Sequence, residues 1–126
     1  MSKVIIQTSD APAPIGPYSQ AVKTGNLLFV SGQIAMVPST GELAIANLKE
    51  ETTQVMKNLK AILLEAGMDF NNIVKTTIFL SDMNLFTDVN EIYAGYFNSG
   101  FPARETLAVK GLPKNVNVEI SVIAAD

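Results

Sequence analysis

The stretch LKEETTQVMKNLKAILLEAGMDFNNIVKTTIFL, residues 48–80, holds a helix pattern followed by a strand pattern. In its first part apolar residues recur at helical spacing, which predicts an amphipathic helix over 48–66. Asn47 is typical of the residue that caps a helix start, and Gly67 of the residue that ends one. The second part, IVKTTIFL at 73–80, is β-branched and aromatic and predicts a strand. The protein therefore mixes helices and strands.

The same two patterns continue outward from this stretch. Toward the N-terminus we expect an edge strand over 3–7 and a hairpin over 20–34. Toward the C-terminus, aromatic and aliphatic residues at helical spacing predict a second helix over 85–97. Two strands follow, RETLAVK at 104–110 and VNVEISVIA at 116–124. The expected order is β, β-hairpin, α, β, α, β, β.

This order predicts one α+β domain over residues 1–126, because the chain contains no linker, repeat or low-complexity segment. The two helices should pack on one face of a mixed sheet. Two helices cannot cover both faces, so the other face is either solvated or buried against partner subunits. The second alternative predicts a homo-oligomer with sites near its interfaces.

Composition excludes several kinds of chemistry. The chain has no histidine and no cysteine, which rules out Ser-His-Asp and Cys-His nucleophiles and the usual zinc sites. No GxGxxG or Walker pattern is present, so we expect no nucleotide cofactor. Catalysis is left to carboxylates, tyrosines, lysines, hydroxyls, backbone groups, water and a single arginine.

Charge and hydropathy limit the partners and the compartment. The net charge is −3 and no basic run occurs, so we expect no nucleic-acid partner. The apolar stretches are far shorter than the roughly 20 residues of a membrane-spanning helix. The N-terminal residues lack the layout of a signal peptide, and we expect a cytoplasmic protein.

Arg104, the only arginine, stands at the head of the strand RETLAVK. Alternation of side chains along a strand separates it from Glu105. If this strand pairs with VNVEISVIA as a hairpin and the apolar sets meet the helices, Arg104 and Thr106 lie on the uncovered face with Glu119 and Ser121. Arg104 would then bind a carboxylate and Glu119 would transfer protons or place water. The alternative is a structural salt bridge between strands or subunits.

Three further residues are candidates for the same site, each with an ordinary structural alternative. Tyr18 lies in a proline-stiffened loop and offers a phenol to a pocket, or simply packs. Gly32 follows an apolar strand and permits close backbone approach to a ligand, or forms a bulge. Asn90 belongs to the second helix, where solvent exposure is the ordinary outcome. The aromatic residues of that helix are assigned to the core rather than to a ligand cage; they are Phe86, Tyr93, Tyr96 and Phe97.

Several motifs in order resemble the Rid (reactive intermediate deaminase, YjgF-like) family over essentially the whole chain. They are IGPYSQAV at 15–22, VSGQI at 30–34, QVMKNL at 54–59, KTTIFLSDM at 75–83, FTDVNEIYAGYF at 86–97, FPAR at 101–104, LP at 112–113 and VEISVIA at 118–124. The resemblance implies a homotrimer of chorismate-mutase-like α+β subunits with three intersubunit clefts. It implies hydrolysis of 2-imino acids, released as enamines by pyridoxal-phosphate-dependent serine and threonine dehydratases, to 2-oxo acids and ammonia, without cofactor or metal.

The resemblance also implies roles for individual residues. Arg104 would bind the substrate carboxylate, and Glu119 would be associated with the attacking water. Tyr18 and the Gly32 backbone would line the cleft. The substrate would also be contacted by Asn90 and by the backbone N–H of Thr106.

One position departs from the family pattern, and two other functions stay open. Glu105 stands where a small serine or threonine is more common, and we expect its carboxylate to point away from Arg104. The first alternative function is a regulatory module that binds a small carboxylate and acts through a partner protein. The second is a ribonuclease, which the single arginine and the negative charge disfavour.

Overall fold

The strands pair into one six-stranded mixed sheet, described by a computed structural model that covers residues 2–126. Neighbouring strands are antiparallel except β4 and β5, which run parallel. The order across the sheet is β1-β2-β3-β6-β4-β5. Met1, the first residue of the expected domain, lies outside the described residues. The strands are β1 (Val4–Ile6), β2 (Ala21–Thr24), β3 (Leu27–Gln33), β4 (Ile73–Leu80), β5 (Ala103–Ala108) and β6 (Val118–Ala125).

Two α-helices accompany the sheet, α1 (Leu48–Glu65) and α2 (Phe86–Ala94). The side chain of Asn47 accepts a hydrogen bond from the backbone N–H of Glu50 at 2.8 Å, which confirms the predicted start of α1. Helix α2 ends at Ala94, three residues before the predicted end. The residues after it, up to 97, continue as tighter turns with i to i−3 hydrogen bonds.

Both helices pack on the same face of the sheet, as predicted. Along β6 every second residue, from Val118 to Ala124, is buried, which is the alternation expected of a strand covered on one face. Helix α1 contributes the largest set of fully buried side chains to this layer, and α2 adds Val89 and Tyr93. The core residues of α1 are Val55, Met56, Leu59, Ile62 and Leu63.

The predicted hairpin of the last two strands is wrong, because β4 lies between β5 and β6. After α2 the chain returns parallel to β4, as a strand-helix-strand unit does, and β6 takes the other side of β4. Strand β6, with its regular apolar alternation, occupies the sheet interior. Strand β5 carries both Arg104 and Glu105 and lies at the sheet edge, where charged side chains are tolerated.

The face turned away from the helices carries large apolar side chains. Phe29 is 43% exposed and Leu107 is 44% exposed, and both lie on this face with Phe79 and Ile123. Large apolar patches on a soluble protein mark interaction surfaces. The uncovered face predicted from the helix count is therefore present, and it is apolar rather than simply solvated.

Candidate functional site

The strand register places Arg104 on the helix-covered face of the sheet. It lies opposite Thr76 of β4, and Thr76 in turn lies opposite Val122 of β6; both partners are buried. Glu105 lies opposite Thr77 on the other face, so the predicted separation of Arg104 from Glu105 is confirmed.

The predicted grouping of Arg104 and Thr106 with Glu119 and Ser121 is wrong. Glu119 lies opposite Phe79 and Ser121 opposite Thr77, on the uncovered face. The prediction assumed that the apolar set of β5 would meet the helices. Instead, the face of β5 that carries Arg104 meets α2, whose aromatic and amide side chains contact the guanidinium.

Helix α2 surrounds the guanidinium of Arg104. Its Nη1 donates a hydrogen bond to Oδ1 of Asn90 at 2.7 Å. Its central carbon lies 5.2 Å from the ring centroid of Tyr93 and 5.6 Å from that of Phe86. Within residues 2–126 no carboxylate forms an ion pair with Arg104. The arginine is thus held in place with most of its N–H donors uncommitted.

Glu105 has its own partners on the opposite face. Its carboxylate lies 3.1 Å from Nζ of Lys75 and accepts a hydrogen bond from the hydroxyl of Thr77. The Thr77 hydrogen bond, with the Lys75 ammonium, lowers the pKa of Glu105. Glu105 therefore does not compete for Arg104 within the chain.

A groove of about 380 Å³ opens beside Arg104, between the end of α2 and the loop before β5. Beneath the guanidinium, Oγ1 of Thr106 is buried and has no hydrogen-bond partner within the described part of the chain. The groove combines one cation with an apolar wall, which suits a small organic carboxylate. Its lining is Asn90, Tyr93, Ala94, Phe101, Pro102 and Arg104.

A second group of candidate residues lies on the other face, near the bulge in β3. The register of β3 with β6 shifts between Val30 and Gln33, and Gly32 lies in this bulge. A Cβ atom at Gly32 would lie 2.1 Å from Oε2 of Glu119, so only glycine leaves room for that carboxylate. Burial raises the pKa of Glu119 above its ordinary value.

Tyr18 belongs to this second group. It lines a small cavity of about 40 Å³ together with Gly32, and its side chain is half exposed. Its hydroxyl oxygen accepts a hydrogen bond from the backbone N–H of Ile15 at 3.4 Å. The phenol is therefore available at the surface, next to the bulge that adjoins Glu119.

The six candidate residues thus form two separate groups. Arg104, Asn90 and Thr106 lie under α2 at the β5 edge, whereas Glu119 lies on the opposite face of the sheet. Strands β5 and β6 are two inter-strand spacings apart, roughly 10 Å. One small substrate cannot contact Arg104 and Glu119 of the same chain at once.

Two residues near Arg104 were not recognised as functional from the sequence. Phe86 and Tyr93 were assigned to the core, which is confirmed, and their rings also adjoin the guanidinium. Their spacing with Asn90, four residues after Phe86 and three before Tyr93, places all three on one helix face. This shared helix face, followed by a strand with the only arginine of the chain, is the sequence feature that could have predicted their contact with Arg104.

Glu51 of α1 is a buried carboxylate for which the sequence predicted no role. It accepts hydrogen bonds from the backbone N–H groups of Asn117 (2.7 Å) and Val118 (3.0 Å), and from the Asn117 side chain (3.1 Å). These contacts hold the start of β6, directly before Glu119. Glu51 thus has a structural role.

Between Ser2 and Asp126 no three acidic residues cluster in a way that could hold a metal ion. Neither α-helix in that span has the length and hydropathy to cross a membrane.

Comparison with known proteins gives matches along nearly the whole chain. Residues 8–126 match the family described as Endoribonuclease L-PSP. A mouse protein named 2-iminobutanoate/2-iminopropanoate deaminase is 51% identical over 120 residues, which are 95% of this chain and 89% of the mouse protein.

Solved structures match equally well. A Yersinia pestis protein, described as a member of the conserved Rid protein family, aligns with a TM-score of 0.96 at 48% identity, covering 99% of this chain and 100% of that one. The structure of E. coli TdcF with bound serine aligns with a TM-score of 0.93 at 40% identity, covering 98% of both chains.

Proposed function

The chain belongs to the endoribonuclease L-PSP family and to the Rid (YjgF-like) proteins within it, and from this premise we propose that it is a cytoplasmic, cofactor-free deaminase of 2-imino acids. The reaction is R–C(=NH)–COO⁻ + H₂O → R–CO–COO⁻ + NH₃. Support comes from relatives named 2-iminobutanoate/2-iminopropanoate deaminase, which are 50–52% identical to this chain over nearly its full length. The substrates proposed are therefore 2-iminobutanoate and 2-iminopropanoate.

The observation that carries this proposal is the state of Arg104. A lone guanidinium, fixed by Asn90 and two aromatic rings, faces a groove without a carboxylate partner in residues 2–126. A planar guanidinium binds a carboxylate through two parallel hydrogen bonds and sets its orientation. Arg104 would therefore bind the carboxylate common to every 2-imino acid.

Glu119 is the proposed proton-transfer group. Water attacks C2 of the imine and loses a proton, and the nitrogen gains protons before it leaves as ammonia. A carboxyl group whose pKa is raised by burial is better matched to such transfers near neutral pH than a solvated one. An imine is already electrophilic, so orientation and one proton-transfer group can suffice.

The remaining candidates have subsidiary roles in this proposal. Tyr18 and the Gly32 backbone line the cleft beside Glu119, and the backbone N–H of Thr106 faces the substrate. Asn90 lines the groove, and its Oδ1 accepts a hydrogen bond from Arg104 while its amide N–H groups remain available to a substrate. Asn90 would therefore both orient the arginine and contact the substrate.

We propose that the complete site forms between subunits of a homotrimer. Arg104 and Glu119 cannot meet on one substrate within a chain, and the uncovered face exposes Phe29 and Leu107. A second copy on that face would bury these side chains and bring Arg104 of one subunit toward Glu119 of its neighbour. Each trimer would then contain three identical clefts.

The direct test generates the imine from an amino acid with an amino-acid oxidase or a dehydratase, and traps surviving imine with semicarbazide. Added protein should lower the semicarbazone yield and raise 2-oxo acid formation. Arg104→Ala should reduce kcat/KM by about 10²-fold, because a desolvated charge contact is lost. Arg104→Lys should recover only part, since an ammonium lacks the planar fork. Unchanged trapping with wild-type protein would contradict the deaminase assignment.

A second candidate function has one specific observation in its favour. The related TdcF structure holds serine, a small carboxylate-bearing molecule. This chain would then be a regulatory module that binds a small carboxylate and acts through a protein partner. Binding of 2-oxobutanoate by wild-type protein without any effect on imine trapping would support the module and oppose the enzyme.

A further inference from the structure

Tyr93 links the guanidinium of Arg104 to the strand beside it. Its ring centroid lies 5.2 Å from the guanidinium carbon, within the range of a cation–π contact. Its hydroxyl donates a hydrogen bond to Oγ1 of Thr76 at 2.9 Å. Thr76 is the residue opposite Arg104 in the β4–β5 register. The ring is therefore fixed by helix α2 at one end and by the neighbouring strand at the other.

We propose that Tyr93 is a positioning residue for Arg104, which sets the orientation of the guanidinium that the substrate carboxylate meets. This inference rests on the proposed function, because it assigns to Arg104 the role of carboxylate anchor. It goes beyond that function because it states that an aromatic ring, rather than an ion pair, orients the Arg104 guanidinium.

The physical reason lies in the flexibility of arginine. An arginine side chain loses considerable rotamer freedom when it is fixed for bidentate binding, and this loss weakens ligand binding unless the side chain is already ordered. An acidic partner would order the guanidinium but would also occupy the N–H groups that a carboxylate needs. An aromatic face orders it while leaving those donors free, because the contact is made through the ring face.

The surroundings of Tyr93 fit this role. Tyr93 is 4% exposed and packs against Phe97 at a centroid distance of 4.9 Å. Asn90, one helical turn earlier, takes one N–H of the same guanidinium. Two contacts in different directions, one through the ring face and one through an edge N–H, define the plane of the group. The Phe86 ring, at 5.6 Å, adds a further wall.

The chain offers an unusually direct test, because Arg104 is its only arginine. Protein labelled with ¹⁵N,¹³C-arginine gives a single arginine Nε–Hε signal in NMR, with no assignment problem. In the wild-type protein we expect this signal to be displaced by the ring current of Tyr93. We also expect nuclear Overhauser contacts between the arginine side chain and the Tyr93 ring.

Three variants separate positioning from general stability. Tyr93→Leu removes the ring, Tyr93→Phe keeps the ring and loses the bond to Thr76, and Tyr96→Leu is the matched control. Tyr96 is an aromatic residue three positions later that packs on Phe70, at a centroid distance of 5.3 Å. Tyr93→Leu should move the arginine signal toward its random-coil position and raise the Kd for 2-oxobutanoate by about 3- to 30-fold, the range of a cation–π contact. Tyr93→Phe and Tyr96→Leu should stay within about threefold of wild type.

The outcomes are distinct. An arginine signal without ring-current displacement or ring contacts in the wild-type protein overturns the inference, even if Tyr93→Leu does not fold. Equal weakening by Tyr93→Leu and Tyr96→Leu also overturns it, since stability alone would then explain the loss. If the wild-type arginine signal shows the ring contacts but does not respond to 2-oxobutanoate, Tyr93 still orients Arg104, and the carboxylate role in the proposed function is what fails.

Discussion

Gly32 has no side chain, and this leaves room for the carboxylate of Glu119, the proposed proton-transfer group. The φ angle of this residue is ordinary; the constraint is space, because a Cβ atom would meet the Glu119 carboxylate at 2.1 Å. The obstructing atom is the end of a flexible side chain, so the fold can survive the substitution while Glu119 moves. At the residue scale, the position of the half-buried Glu119 carboxylate depends on the missing side chain at Gly32.

We therefore predict that Gly32→Ala lowers kcat in the imine assay by about 10²-fold, the contribution of one proton-transfer group. The unfolding midpoint should change little. Gly111→Ala is the matched control, since a Cβ atom there meets nothing within 4 Å. A Gly32→Ala protein with the wild-type kcat would contradict the role of Glu119 in proton transfer.

The raised pKa of Glu119 makes a prediction about pH. Burial disfavours the ionised form in the folded protein, so the folded-state pKa lies above the unfolded value near 4.5. The folded protein therefore binds this proton more tightly than the unfolded chain does. The stability gained from binding this proton is fully present below about pH 4.5. It is lost as the pH rises through the higher, folded-state pKa of Glu119.

Glu119→Gln removes this titration and should make the protein relatively more stable at pH 7 than the wild type. The difference in unfolding free energy should shrink as the pH falls below that window. Urea unfolding of both proteins at a series of pH values measures it. A difference that is constant with pH would mean that Glu119 titrates alike in the folded and unfolded states.

At the element scale, α1 does more than cover the sheet. Its buried Glu51 accepts hydrogen bonds from the backbone N–H groups of Asn117 and Val118 and so fixes the strand that carries Glu119. Without the carboxylate, the buried N–H of Val118 and the partly buried N–H of Asn117 would lose their acceptor. An unpaired buried donor costs about 1–3 kcal/mol.

We predict that Glu51→Ala lowers the free energy of unfolding by about 2–4 kcal/mol, because one buried and one partly buried backbone donor and one side-chain amide lose their acceptor. Glu50→Ala is the control: it removes an exposed carboxylate from the same helical turn and should cost about 0.5 kcal/mol. Denaturant unfolding measures both. Similar losses for the two variants would mean that the Asn117 and Val118 donors find other partners.

At the scale of the whole molecule, the proposed clefts combine residues of two subunits. Arg104→Ala and Glu119→Gln proteins should each lose about 10²-fold of wild-type activity as homotrimers. Refolded together as random mixtures, they should form clefts in which one subunit supplies an intact Arg104 and its neighbour an intact Glu119. This arrangement is expected in about a quarter of clefts, so about a quarter of wild-type activity should return.

Light scattering on the same samples establishes whether trimers form at all. Leu107→Asp introduces a charge on the uncovered face and should dissociate the assembly and abolish activity together. If the mixture of the two variants regains no activity although mixed trimers are present, the cleft does not combine Arg104 and Glu119 from different subunits.

The sequence alone predicted the presence of every α-helix and strand among residues 2–126. It also predicted the α+β class with both helices on one face of the sheet. Helix α1 has a clear apolar stripe with a cap at Asn47, and β6 has a strict alternation of buried residues. These patterns are visible in the sequence because the repeat of a helix or a strand depends only on its own backbone geometry. The motif order was also sufficient to identify the family. The separation of Arg104 from Glu105 follows from alternation, which depends only on the strand geometry.

The strand order, and with it the environment of Arg104, was decided only by the tertiary structure. Alternation predicts which side chains share a face, but not which face the helices cover or which strand lies alongside. Inserting β4 between β5 and β6 turned Arg104 toward Phe86, Asn90 and Tyr93 and left Glu119 on the other face. That choice depends on the packing of all strands and helices at once, because burial of the common core is a property of the assembled sheet and not of any one segment.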